Sequence, residues 1–274
     1  MSHSGGSDLL ARTRRALLDA LEALGAHRDA VVVIGAQAVY LQTGGVAVAL
    51  AETTKDSDLA VDPRVLGGTP RIEEAMRAAG FVLDRDTGQP GSWVNPDGIP
   101  VDLMVPQALS GRGGHRGARV PPHDRRALRR AAGLEAAVVD NRRMPVAALE
   151  VSDRRSFTVK IASPAALLVS KLHKLMERES SPDRLADKDA HDVYRLLAGV
   201  PVDELVASFR RLRDDSLAGA VTRAALEGFE RLFAAGPEAL GSIMAGASGE
   251  RSGRSRDGVG LRCTARGGCT RRSS

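Results

Sequence analysis

The 274-residue sequence predicts an α/β (α+β) protein, a mixed β-sheet core followed by a C-terminal helical domain. Three observations carry that expectation. An apolar run, Val31-Val32-Val33-Ile34, ends on Gly35 and passes straight into a helix-like stretch. Two short apolar segments bear aspartates: Asp56 and Asp58 before Leu59-Ala60-Val61, and Asp102 inside Val101-Asp102-Leu103-Met104-Val105. From Ser163 onward the apolar spacing is helical throughout. The expected division is a core over residues 1–160, a helical domain over 161–245 and a disordered Arg/Gly/Ser-rich tail over 246–274.

Each element has a local cause. Asp8 to Leu24 places leucines at near-helical spacing, and Gly25 ends it. Ala30 to Ile34 reads as a buried strand and Ala36 to Gln42 as a helix stopped by Gly44-Gly45. Val46 to Leu50 reads as a brief strand, and Ser57 to Val61 as a strand closed by Pro63. Arg71 to Ala79 reads as a helix ended by Gly80, with a strand at Phe81 to Leu83. Asn95-Pro96-Asp97-Gly98 is a turn signal joining Ser92–Val94 to the Asp102 strand as an antiparallel hairpin. Gly111 to Pro122 reads as a flexible basic loop, with further strands near Ala136–Val139 and Met144–Leu149. Ser163-Pro164 is a cap followed by proline at the first helical position, opening a helix through Glu179. More helices are expected near Leu185–Leu197, Val202–Arg213, Leu217–Ala234 and Pro237–Ala245.

Composition excludes several classes. Apolar residues make up 43% of the chain, enough for a core, while aromatics are only 3%, so packing rests on Leu, Val and Ala. No run reaches the length of a membrane span and no charged-then-apolar leader opens the chain, so a cytoplasmic protein without a membrane partner is expected. The net charge of +5 resides in the tail, where seven arginines face Glu250 and Asp257; residues 1–245 are formally neutral. Cys263 and Cys269 also lie in the tail and do not staple the core. His115, His123, His173 and His191 lack zinc-site spacing, and no phosphate-binding Gly-x-x-x-x-Gly-Lys-Ser/Thr loop is present.

The aspartates carry the chemistry. A spacing of two puts Asp56 and Asp58 on one side of a strand, and Asp102 joins them if its strand is a neighbour. Three converging carboxylates repel one another unless a cation lies between them. Mg²⁺ takes carboxylate oxygens and keeps positions open for phosphate, so the expected site is one of phosphoryl or nucleotidyl transfer.

The order strand, Gly35, helix, Asp-x-Asp strand, hairpin, Asp strand resembles the nucleotidyltransferase superfamily, the fold shared by DNA polymerase β and antibiotic nucleotidyltransferases. The resemblance implies a nucleotidyltransferase-like sheet, with Gly35 and Ala36 at the nucleotide phosphates and Asp56, Asp58 and Asp102 as Mg²⁺ ligands. It further implies Asp102 as the residue assisting deprotonation of the acceptor hydroxyl. Many members have serine after the glycine. Ala36 supplies no hydroxyl, which leaves backbone N–H groups, Gln37 or Thr43 as substitutes.

In the second half, Lys171, Lys174 and Arg178 fall on one helix face, and Asp189 and Asp192 share a face of the next. A salt-bridged helix pair explains such a pattern by itself. Lys171, Arg178 and Lys188-Asp189-Ala190-His191-Asp192 also resemble the motifs of AbiEii-type nucleotidyltransferases, toxins of toxin–antitoxin systems. That resemblance implies Lys171 on the triphosphate, Asp189 orienting that lysine or completing the site, Lys174 as an alternative phosphate contact, and Arg178 among the nucleotide-binding residues. It implies an enzyme moving an NMP from an NTP to RNA (a tRNA end) or protein, with an antitoxin as partner. The alternatives are a small-molecule nucleotidyltransferase acting on an antibiotic and a noncatalytic regulatory protein of the same fold. Arg112, Arg116 and Arg119 offer phosphate contacts in either a mobile loop or an acceptor track.

Overall fold

A computed structural model describes residues 4–44, 56–112, 116–179, 187–251, 263–264 and 268–269. Its centre is a mixed eight-stranded sheet of β1 (Val31–Ile34), β2 (Ser57–Val61), β3 (Val82–Leu83), β4 (Ser92–Val94), β5 (Pro100–Pro106), β6 (Arg129–Ala131), β7 (Asn141–Ala147) and β8 (Ser156–Ala162). The order is β3-β4-β5-β2-β1-β8-β7, with β6 joining β5 beyond the end of β4. The centre is the most apolar part: all four residues of β1 are buried, as befits a strand flanked on both sides.

Helix α1 (Ser4–Ala23) lies on the sheet against β2, β5 and β8, burying Leu17, Leu18 and Leu21. Its Thr13 carbonyl accepts a bond from Ser57 Oγ at 3.1 Å, which fixes the lead into β2. The next helix, α2 (Gly35–Thr43), leaves β1 directly, and α3 (Ile72–Ala78) packs against α1. The remaining helices are α4 (Glu135–Val139), α5 (Pro164–Glu179), α6 (Asp187–Gly199), α7 (Val202–Asp214), α8 (Gly219–Phe229) and α9 (Leu240–Arg251). Both α5 and α6 pack on α2, so helices of the second half lie directly over the segment that follows Gly35. Arg195 of α6 locks this contact. Its Nε donates to Thr43 Oγ1 at 2.7 Å and its Nη2 to the Thr43 carbonyl, setting a cation at the C-terminal end of α2.

Several expectations are corrected. Residues Ala136–Val139 form part of helix α4, not a strand; Glu135 is buried and its Oε1 accepts the Ala108 N–H at 2.9 Å. A short apolar run does not distinguish the two by periodicity. Strand β8 was not anticipated, although Phe157, Val159 and Ile161 alternate in it and it pairs in parallel with β1. Asp56 precedes β2 rather than sharing it with Asp58. The helix expected at Leu217–Ala234 is α8 followed by a π-helical turn, Glu230–Ala234.

The basic segment is also no loose loop where it is described. Gly117 bridges Arg129, and the Ala118 and Arg130 amides bond to the carbonyls of Leu128 and Arg116. The Val46–Leu50 strand lies outside the described residues, as do His115 and most of the tail. Within the tail, the backbone of Cys263–Thr264 pairs antiparallel with Gly268–Cys269.

Candidate active site

The site begins where β1 ends. Ile34 pairs with Asp58 across the antiparallel β1–β2 ladder, and the next residue, Gly35, turns the chain into α2 with φ +67°. A Cβ built on Gly35 would lie 2.1 Å from Asp58 Oδ2. Glycine is required here twice over, by its left-handed backbone and by the carboxylate against it. One strand further, Asp58 pairs with Asp102 in the parallel β2–β5 ladder. Residues in register on neighbouring strands share a face of the sheet. Asp58 and Asp102 therefore stand side by side next to the N-terminus of α2, whose leading amides favour negative charge.

The two substitutes for the missing serine differ in what they have left to offer. Gln37 is buried and its Oε1 accepts a bond from Arg14 Nε at 2.9 Å. Thr43 donates to the Val39 carbonyl and accepts from Arg195. Gln37 Nε2 is buried without a hydrogen-bond partner among the described residues, so beside the backbone N–H groups it is the Gln37 amide, not Thr43, that keeps a donor uncommitted.

The carboxylates are unevenly compensated. Burial, then the nearby charge of Asp56, then that of Asp102 push the Asp58 carboxyl up to about 6, with Lys174 and Lys171 offsetting part of the shift. Among the described residues no cation lies within ion-pair distance of Asp58. Asp56 has Lys188 of α6 at 3.8 Å. Asp102 Oδ2 accepts a bond from Arg129 Nη2 at 2.5 Å, and Arg129 Nη1 donates to Gln89 Oε1 at 2.6 Å. Arg129 escaped the sequence reading because β6 is three residues long and lies in a stretch crowded with arginines.

Over α2, helices α5 and α6 carry a dense ionic cluster. Lys171 Nζ lies 2.8 Å from Asp189 Oδ1 and 2.6 Å from Asp192 Oδ2, with its side chain only 6% exposed. Arg178 Nη1 bonds Asp189 Oδ2 at 2.8 Å, and Lys174 Nζ lies 3.6 Å from Asp189 Oδ1. Burial alone would lower the Lys171 pKa, but Asp189 and Asp192 reverse this and hold it above the ordinary lysine range. Burial would likewise raise Asp189, yet Lys171 and Lys174 hold it well below the usual carboxylate range. Lys171 and Asp189 are thus both charged at neutral pH. Lys174, at 36% exposure, is the most accessible cation of the group.

Of the sequence-predicted residues, the structure pairs Asp58 with Asp102 on the sheet and sets Gly35, the first residue of α2, against Asp58, with Ala36 next in the helix. Lys188 ties Asp56 to α6, and Lys171, Lys174, Arg178 and Asp189 form one cluster. Among the described residues, no three acidic, histidine or cysteine side chains close into a ready-made metal cage. The donor chemistry nonetheless suits a hard divalent cation. The available donors are carboxylate oxygens, Asp58 has no cation partner among the described residues, and the space beside its Oδ2 is one that a Cβ would fill.

A mixed sheet with carboxylates on adjoining strands, beside a helix opened by glycine, is a nucleotidyltransferase-like core. A family model described as nucleotidyltransferase matches residues 12–225, and the chain belongs to that family. No curated protein matches it. Among the described residues, no helix is long and apolar enough to cross a membrane.

Proposed function

We propose that the protein is a cytoplasmic Mg²⁺-dependent nucleotidyltransferase that moves an NMP from an NTP to a hydroxyl of RNA or protein, in the manner of AbiEii-type toxins. The supporting observation is the pairing of Asp58 with Asp102 against Gly35, with Lys174 and Lys171 near enough to influence Asp58. Asp56, Asp58 and Asp102 would hold the metal, which when bound supplies charge stabilisation of the triphosphate and activation of the attacking hydroxyl. The α2 backbone amides bind phosphate oxygens. Lys174 meets the triphosphate, and Lys171 is held by Asp189 and Asp192 so that its charge faces the leaving group without reorganisation. Asp102 accepts the proton of the acceptor hydroxyl.

An anionic acceptor is favoured over a cationic antibiotic by Arg112, Arg116, Arg119, Arg125 and Arg126. All five are exposed, and none has an ion pair among the described residues. The noncatalytic reading draws on Ala36 and on the cations already sitting at Asp56 and Asp102.

The test is transfer of label from α-³²P NTPs to total RNA or protein, with pyrophosphate release, by wild type and Asp58→Ala. Labelling lost in the variant supports the proposal. Wild type that releases no pyrophosphate with any NTP and acceptor returns the protein to the regulatory reading.

A further inference from the structure

Arg129 reaches the site through a backbone with little freedom. Met104 of β5 pairs with it in parallel, Gly117 bridges it from the other side, and a Cβ on Gly91 would come within 2.5 Å of its amide nitrogen. The guanidinium is 22% exposed. Nη2 bonds Asp102 Oδ2 at 2.5 Å and touches Met104 Sδ at 3.1 Å, while Nη1 is anchored on Gln89. The contact is made through a single nitrogen and a single oxygen. Asp102 Oδ1 accepts no hydrogen bond among the described residues. A two-pronged Arg–carboxylate pair would be harder to part.

We propose that Arg129 is a resting-state counter-cation for Asp102, a positioning residue that holds the carboxylate in the metal-free protein and releases it when a divalent cation binds. The inference rests on the metal-dependent reading above. Asp102 is mostly buried and has Asp58 beside it, so without Arg129 the metal-free site would hold two adjacent, poorly hydrated negative charges. The same bond sets a threshold, because ion binding must compete with the guanidinium for Asp102. Gln89 tethers Arg129 from the far side, so on release it stays beside the site with its charge turned to anionic substrate.

Mn²⁺ binding to the full chain tests this, read from the electron paramagnetic resonance of the free ion. Arg129→Gln is expected to lower the Kd about tenfold by removing the competitor, and Gln89→Ala about threefold by loosening its anchor. Arg126→Gln removes the same charge from an exposed arginine nearby and should leave the Kd within about twofold. Asp58→Asn should abolish binding. Unchanged or weaker Mn²⁺ binding by folded Arg129→Gln, with binding still lost in Asp58→Asn, overturns the counter-cation role and leaves the metal site standing. Mn²⁺ binding indifferent to Asp58→Asn overturns the metal site itself. If Arg129→Gln fails to fold by circular dichroism, Gln89→Ala decides, and no change in its Kd overturns the proposal.

Discussion

Asp58 and Asp189 are both carboxylates turned into the protein, and their surroundings treat them in opposite ways. Asp189 is fully buried yet lies within 4 Å of Lys171, Lys174 and Arg178. Asp58 retains some exposure but has two acidic neighbours and no cation in contact, so its carboxyl is pushed up rather than down. An ionic cluster of three cations and two carboxylates joins α5 to α6. Under the proposed metal-dependent reading, Asp58 is the carboxylate that a divalent cation would compensate. The two halves differ in charge: the helical side carries three cations against two carboxylates, and the sheet carries Asp58 beside Asp102 and Asp56.

Breaking the compensated side should do the most damage. Lys171→Met leaves Asp189 and Asp192 buried with one fewer cation, and should cost about 3–5 kcal/mol in urea unfolding. Gly35→Ala follows. It strains a φ of +67° and drives a methyl into the Asp58 carboxylate, for a loss of about 2–3 kcal/mol together with loss of Mn²⁺ binding.

The sheet side should respond with the opposite sign. The folded Asp58 carboxyl titrates at about 6, above its ordinary 3.8, so the proton-bound form favours the fold. That contribution is full below about pH 4 and is lost as pH rises through about 6. Asp58→Asn should therefore stabilise the metal-free protein by about 2 kcal/mol at pH 8 and change little at pH 4, as read from paired denaturant curves. Smallest of all is Lys188→Gln. Its pair with Asp56 is part-exposed on both sides at 32% and 33%, and its loss should move stability by less than about 0.5 kcal/mol.

The same contrast explains what the sequence revealed. Asp58 and Asp102 were legible because a carboxylate set among Leu59, Ala60, Leu103 and Val105 has little structural reason to be there. Gly35 was legible as the break after a four-residue apolar strand. The helices after Ser163 announced themselves by period and by the Ser-Pro cap. Asp56 was misplaced by one residue at a strand boundary, which the period-two argument does not resolve. Arg129 was hidden because its partner is 27 positions away and comes close only when β6 docks beside β5. The pairing of Lys171 with both Asp189 and Asp192 was readable as helix-face complementarity. Its depth was not, since burial depends on α5 and α6 packing over α2.

The central proposal, that the acidic pair beside Gly35 is a cation site in which Asp58 has no counter-ion among the described residues, is tested most directly by thermal unfolding at pH 8 over a Mg²⁺ series, comparing wild type with Asp58→Asn. Wild type is expected to start at the lower Tm and climb with Mg²⁺, while the variant starts higher and stays flat. A variant that starts lower than wild type, or that climbs with Mg²⁺ as steeply, would contradict it.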